Sequence, residues 1–336
     1  MMKKTSLYVI VLIMALISCS PKSNDIKIQF GGEAQGTYYA ITYFASDTLV
    51  KQSQIDSILH DFDMIASIWQ SNSLISRINR NETNEVNNRY FEEIFNISQQ
   101  VSKETGGAFD ITVGPLVNAW GFGFKNRMDM TAEIVDSILQ FVGYQSVRLE
   151  NGIIIKEHPN IQIDFNAIAA GYSVDLMGKF FESKGLHNFL VDIGGEIIAR
   201  GSKPGDEKWV IGIEKPSEEA TSERTLKATV KVKNIGVATS GNYRKFYEKE
   251  GVKYAHTIDP FTGYPVTHSL LSTTVFAENA TLADAYATAF MVMGLDRSKN
   301  FLERNPNIGA YLIYSDESGI IKTFATPDVE KMLSEL

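Results

Sequence analysis

The stretch from Tyr254 to Thr288 holds a turn, Tyr-Ala-His-Thr-Ile-Asp-Pro-Phe-Thr-Gly-Tyr-Pro, a β-rich run, and then Ala-Asp-Ala-Tyr-Ala-Thr opening an apolar helix. Asp284 and Thr288 stand four residues apart, so on a helix a carboxylate and a hydroxyl share one face. Two hard oxygen donors suit Mg²⁺ or Ca²⁺. His256 precedes the Pro/Gly-rich turn, and an imidazole held beside such a metal can take a proton near neutral pH. The same residue types also have ordinary duties. Asp and Thr near a helix start often cap it or meet solvent, and a turn histidine can simply bond to backbone.

Two further segments are dense in residues that could line a site. Gly106 to Gly123 reads Gly-Gly-Ala-Phe-Asp-Ile-Thr-Val-Gly-Pro-Leu-Val-Asn-Ala-Trp-Gly-Phe-Gly, and its glycines flank the aromatic pair Trp120 and Phe122, letting backbone approach a flat ligand. Core aromatics with turn glycines would give the same string. Ile163 to Asp175 reads Ile-Asp-Phe-Asn-Ala-Ile-Ala-Ala-Gly-Tyr-Ser-Val-Asp; it predicts a strand running into a helix with Asp164 at the junction, and a plain helix start is the alternative.

The elements that must position these residues follow from periodicity. Ile26 to Phe30 and Thr37 to Phe44 predict strands, and Gln54 to Ile68 predicts a helix through Ile55, Ile58, Leu59, Phe62 and Ile65. Further helices are predicted over Arg89 to Glu104, Thr131 to Phe141 and Ala169 to Lys184, then short strands at Phe189 to Ile193, Ile197 to Arg200, Trp209 to Ile213 and Ala228 to Lys233. From Leu271 the order is strand, helix (Ala280 to Met293), strand (Ala310 to Tyr314), strand (Ile320 to Phe324) and a terminal helix. Hairpin-like strand pairs between helices imply an α+β fold with antiparallel sheets and flanking helices. Gly194-Gly195 lacks the following helix of a dinucleotide fingerprint, and no Walker A loop, Cys/His cluster or Gly-x-Ser-x-Gly elbow is present.

The ends and composition bound the setting. Lys3 and Lys4, the apolar run Leu7 to Ile17, and Leu16-Ile17-Ser18 before Cys19 predict a lipoprotein signal over residues 1–18. Cys19 is the single cysteine, placed where a bacterial signal carries the residue lipidated after cleavage. A disulfide within the chain is therefore excluded. Residues 19–25 read as the lipidated cysteine and its tether, and residues 26–336 as one large domain or two lobes. The signal holds two of the 32 basic residues and none of the 40 acidic ones, so its removal takes the net charge from −8 to about −10, which argues against a nucleic-acid partner. Lys215 to Arg224 reads as an exposed loop.

Taken together, Gly36-Thr37-x-Tyr39, Ser73-x-x-Ser76-x-x-Asn79, Asp110 to Gly123, Ser240-Gly-Asn-Tyr-Arg244, His256-x-Ile-Asp-Pro-x-Thr-Gly263 and Ala283-Asp-Ala-x-Ala-Thr288 resemble, in order, the ApbE family of FAD:protein FMN transferases. The resemblance runs across nearly the whole mature chain. It implies an ApbE-like, T-fold-like architecture and transfer of FMN from FAD, as a phosphoester, to a Thr or Ser hydroxyl of a target protein, releasing AMP. It implies Mg²⁺ on Asp284, Thr288 and the backbone carbonyl of Ala167, and FAD held by Trp120, Gly121, Phe122, Asp164 and Ile258 and at the positions of Gln35, Trp69 and Ala170. The chain departs from the usual family pattern at three of these: Gln35 stands for Met, Trp69 for Tyr, and Ala170, with no charged head, for Lys or Glu.

That chemistry needs charge neutralisation on the pyrophosphate, which a bridging metal gives, and a base for the incoming hydroxyl, the role expected of His256. Arg244 and Lys245 are candidate phosphate contacts. Two alternatives stay open: a hydrolase of the same fold cleaving FAD to FMN and AMP, and a lipid-anchored protein that binds FAD without catalysis. The expected partners are FAD, the membrane through the anchor facing the periplasm or exterior, and, as the family implies, flavoprotein subunits of Na⁺-translocating NADH:quinone oxidoreductases or Rnf-type complexes.

Overall fold

The architecture comes from a computed structural model, which describes residues 25–123, 128–216, 225–242, 246–249 and 252–336, with backbone alone at 246–249 and 252–254. The signal with Cys19, residues 217–224 of the expected loop, and Arg244 and Lys245 lie outside the described residues.

Thr37 to Ala45 alternates so that Tyr39, Ile41, Tyr43 and Ala45 are buried, the period-two pattern of a half-buried strand. It forms β2 (Thr37–Ala45), paired antiparallel with β1 (Ile26–Ala34). The hairpin tip is Gln35-Gly36, with φ of 56° and 73°. Two positive φ values are what a two-residue turn of type I′ requires; glycine adopts them freely and glutamine only under constraint.

Then follow α1 (Gln52–Ala66), α2 (Leu74–Asn79), α3 (Arg89–Glu104), α4 (Gly114–Ala119), α5 (Ala132–Leu139), the hairpin β3 (Val147–Glu150) and β4 (Ile153–Lys156), and α6 (Ala169–Ser183). Four strands come next: β5 (Phe189–Ile193), β6 (Glu196–Arg200), β7 (Trp209–Glu214) and β8 (Leu226–Val232). The chain continues with β9 (Ile235–Gly241), β10 (Phe246–Lys249), β11 (Val252–Ala255), β12 (Leu270–Ala277), α7 (Ala280–Arg304), β13 (Gly309–Ser315), β14 (Ile321–Ala325), α8 (Pro327–Glu330) and β15 (Leu333–Glu335).

Eight strands make one sheet in the order β1-β2-β5-β6-β9-β12-β13-β14, antiparallel at every pairing, and β15-β8-β7 form a second. The two faces of the large sheet bury different layers. Ile198 joins Val174, Met177 and Phe181 of α6. Its neighbours Ile197 and Ala199 point the other way and pack with Trp209, Ile211 and Val230 of the smaller sheet. This is the α+β arrangement of antiparallel sheets with flanking helices, and its sheet-on-sheet layer leaves α6 and α7 side by side on the opposite face.

Some expectations change. The helix expected over Ala280 to Met293 continues to Arg304, crossing a kink at Gly294 with φ 75°. A positive-φ glycine reads as a helix end in sequence. Here Ser298 Oγ lies 2.6 Å from Gly294 O at the kink and 3.3 Å from Phe290 O before it, so one hydroxyl bridges the two halves. The terminal helix is only the four residues of α8, because Leu333 to Glu335 pair with β8. The strand expected to run into α6 at Ile163 and Asp164 is not formed: Asn79 Nδ2 donates to Ile163 O (2.8 Å) and Ile163 N to Asn79 Oδ1 (2.7 Å), so one side chain supplies the hydrogen bonds of a strand partner.

Candidate active site

The first turns of α6 and α7 meet where Gly171 has no side chain. A Cβ there would lie 2.4 Å from the Ala280 carbonyl oxygen, so only glycine allows this approach. At that crossing Gly171 N donates to Asp284 Oδ2 at 3.0 Å. Gly171 is the third residue of α6, after the N-cap Ile168, so its N–H is one of the helix-start donors with no partner inside the helix. Ala169 N reaches Phe165 O and Tyr172 N reaches Ile168 O, but the Gly171 donor has gone to Asp284. The Ala167 carbonyl, just outside the helix, receives no backbone donor among the described residues.

Asp284 is buried. Desolvation is the main reason its carboxyl is pushed up to about 7; the Gly171 N–H opposes this and the Asp175 charge adds to it. Thr288 lies one turn on, its Oγ1 3.4 Å from Ser240 Oγ at the end of β9. Asp284, Thr288 and the Ala167 carbonyl are thus the candidate hard-oxygen set, with a single carboxylate among them. No group of three His, Cys, Asp or Glu gathers among the described residues. One carboxylate with neutral oxygens fits Mg²⁺, which keeps several waters and completes its shell on substrate phosphates.

A second wall is built around the turn after β11. Trp120, at the end of α4, donates Nε1–H to Gly263 O at 2.8 Å and its ring lies 5.7 Å from that of Tyr264. Gly263, at φ 76°, presses against Val135 and Leu139 of α5. Ile258 is buried with Leu116, Trp120 and Val135, and bridges to Pro265. Gly121, at φ 86°, turns the chain so that the Phe122 ring meets His256 edge-on at 6.3 Å. Thr257 Oγ1 donates to Asn242 Oδ1 at 2.7 Å. Asn242 follows Ser240 by two residues, so the end of β9 connects the histidine turn to Thr288.

Asp164 meets the other end of α4, where a Cβ on Gly114 would come 3.1 Å from its own. Some of its surface stays open to solvent, yet protein surrounds the carboxyl and burial pushes it up to about 6, with the Asn166 N–H opposing. Gln35, at the β1–β2 tip, accepts from Ser173 Oγ (2.9 Å) and donates to Asp63 Oδ1 (3.2 Å). Ser173 also donates to Ala170 O at 2.8 Å, so the hairpin tip is fastened to the first turn of α6. Trp69 lies apart from these buried groups, 59% exposed in the link between α1 and α2. Sequence reasoning passed over Gly171, Ser173, Asp175, Ser240 and Asn242 as site residues. All five fall inside motifs it singled out, but the partner of Gly171 is 113 residues away.

The sequence model of the ApbE family matches residues 35–312, a span that opens at Gln35 and contains every candidate residue except Cys19. This chain belongs to the ApbE family. The FAD:protein FMN transferase of Haemophilus influenzae is 34% identical to it, with 95% of this chain and 96% of that one aligned. That of Vibrio cholerae is 32% identical over 96% and 97% of the two chains. Among solved structures, the flavin transferase ApbE from Vibrio cholerae superposes with a TM-score of 0.82 at 30% identity, covering 92% of this chain and 99% of that one. The apo flavinyl transferase ApbE of Pseudomonas stutzeri gives 0.80 at 31%, covering 92% and 97%. In this ApbE chain, then, the α6–α7 crossing and the turn against Trp120 sit within a fold shared with flavin transferases.

Proposed function

We propose that this chain transfers FMN from FAD to a threonine or serine hydroxyl of a target protein and releases AMP, with Mg²⁺ held by Asp284, Thr288 and the Ala167 carbonyl. The observation that supports the reading is the Gly171 N–H held by Asp284, which fixes a buried carboxylate at the start of α6, four residues after a carbonyl with no backbone donor, in a chain whose relatives are named as flavin transferases. In the reaction the acceptor hydroxyl oxygen forms a bond to the FMN-side phosphorus. The bond from that phosphorus to the bridging oxygen breaks, and AMP leaves with that oxygen. His256 takes the hydroxyl proton, and the Phe122 edge and the Thr257–Asn242 bond hold its segment in place. Mg²⁺, when bound, supplies Lewis-acid neutralisation of charge on the phosphates. Trp120, Gly121, Phe122, Ile258 and Asp164 offer the flavin an apolar wall with one carboxyl. At Ala170, where a charged head is usual in the family, only backbone is offered, and the Ser173–Gln35 pair occupies that side of α6.

The proposed setting is a membrane surface facing the periplasm or cell exterior, with acyl chains on Cys19 as the anchor, since each buried methylene adds about 0.8 kcal/mol to membrane binding. The proposed acceptors are flavoprotein subunits of membrane redox complexes of the Na⁺-translocating NADH:quinone oxidoreductase or Rnf type. The test is incubation of purified protein with FAD, Mg²⁺ and such a subunit, followed by mass spectrometry of the acceptor. Covalent FMN on the acceptor and stoichiometric AMP, both abolished by a chelator and restored by Mg²⁺, are expected. Free FMN and AMP with an unmodified acceptor would replace the transferase with an FAD hydrolase. FAD bound and unchanged would leave a binding protein.

A further inference from the structure

The α6–α7 crossing carries a second carboxylate that donates nothing to the oxygen set yet fixes the helix bearing it. Asp175, one turn into α6 from Gly171, accepts from Ala280 N through Oδ1 (3.0 Å) and from Thr281 N through Oδ2 (2.8 Å), and Thr281 Oγ1 donates to Oδ2 at 2.5 Å. The first N–H groups of a helix have no partner within it. Of those at Ala280, Thr281 and Leu282 in α7, the N-cap Asn279 takes one, through Oδ1 to Leu282 N (2.8 Å), while its carbonyl accepts the first regular helical bond, from Ala283 N (3.3 Å). The remaining two are held from the neighbouring helix. The arrangement is reciprocal: α6 gives an N–H to a carboxylate of α7 at Gly171–Asp284, and α7 gives N–H groups to a carboxylate of α6 at Ala280, Thr281 and Asp175.

We infer that Asp175 is a positioning residue for the metal site: by clamping the start of α7 onto α6 it sets the distance between the Ala167 carbonyl and the Asp284–Thr288 face. An N-cap drawn from the helix's own chain, like Asn279, satisfies donors without fixing the helix relative to anything else. An acceptor on another helix fixes both. With two close carboxylates at one crossing the arrangement also carries a repulsion that the α7 N–H groups and the helix N-terminus offset, and a regular apolar contact would hold the helices together without it. The inference rests on the proposed Mg²⁺ site.

The test measures Mg²⁺ and Mn²⁺ binding to the full chain without flavin by titration calorimetry, for wild type, Asp175→Ala, Asp175→Asn, Asp175→Glu and Asp284→Ala, with circular dichroism and melting on each. Asp284→Ala should abolish binding. Asp175→Ala should weaken it at least tenfold while the helical signal is kept. Asp175→Asn, which keeps the shape and one acceptor oxygen, should fall between and stays informative if the alanine variant fails to fold; Asp175→Glu should recover part of the loss. Because the defect is one of geometry at the cation, raising Mg²⁺ should also restore flavin transfer in those Asp175 variants that circular dichroism and melting show to be fully folded at the assay temperature without Mg²⁺, where the rescue cannot come from refolding by mass action. If Asp284→Ala abolishes binding while the folded Asp175 variants bind cation like wild type, the positioning role is overturned and the site stands. If Asp284→Ala binds like wild type, the site itself is wrong and this inference falls with it.

Discussion

His256 is the proposed base, and the structure gives it two neighbours suited to holding a ring in place, an aromatic edge and a tethered Thr257. Replacement by alanine is expected to lower kcat for flavin transfer by about 10² to 10⁴, the usual contribution of a general base, with FAD affinity and melting temperature near wild type; single-turnover kinetics and flavin titration check this, and equal losses in binding and turnover would assign His256 to binding instead. Asp164 makes a different prediction. Its folded carboxyl sits near 6, above its ordinary 3.8, so the folded state holds this proton more tightly than the unfolded one. The associated stability is fully present below about pH 4 and is lost as pH rises through 6, by about 2 kcal/mol once its partial exposure is allowed for. Urea unfolding of Asp164→Asn against wild type between pH 4 and 7 should show the difference between them shifting in the variant's favour as pH rises; parallel curves would refute it. Both residues were legible as candidates because their types and motif positions were visible. The protonation behaviour of Asp164 was not, since it depends on what surrounds the carboxyl.

At the scale of elements, the site is a junction of two helix starts and one turn, and each is held by a contact distant in sequence. Gly171 is the pivot. A methyl group there meets the Ala280 carbonyl at 2.4 Å, and backbone cannot yield as a flexible side chain does. Gly171→Ala should therefore cost about 1 to 3 kcal/mol in stability and, by tilting α7 away, weaken Mg²⁺ binding together with flavin transfer. Denaturation and calorimetry on the same preparation test this, and an alanine variant with unchanged cation affinity would show that the crossing distance is not what matters. The extents of α1, α3 and α6 followed from apolar spacing to within a few residues, because an amphipathic helix writes its buried face into the chain. The continuation of α7 past Gly294 and the pairing of Leu333 to Glu335 with β8 did not. A kink held by Ser298 and a three-residue strand have no periodic signature long enough to read.

Over the whole molecule, the sandwich of the three-stranded sheet on one face and the helices on the other leaves the candidate residues at the helix-covered side, in a domain that starts with β1 soon after the proposed tether. Replacing Cys19 with serine should thus give an unlipidated protein that partitions into the soluble fraction and still transfers FMN in solution, with fractionation and the transfer assay as the measurements; continued membrane association would mean that another segment anchors it. The sequence by itself determined the family, the α+β class and the residue types of the site, because motif order and hydrophobic period are properties of the chain read end to end. Only the tertiary structure decided which oxygens stand together. Gly171 and Asp284, or Asp175 and Ala280, become neighbours through contacts that span more than 100 residues, and the holding of each helix start by a carboxylate of the other exists only once that packing has been made.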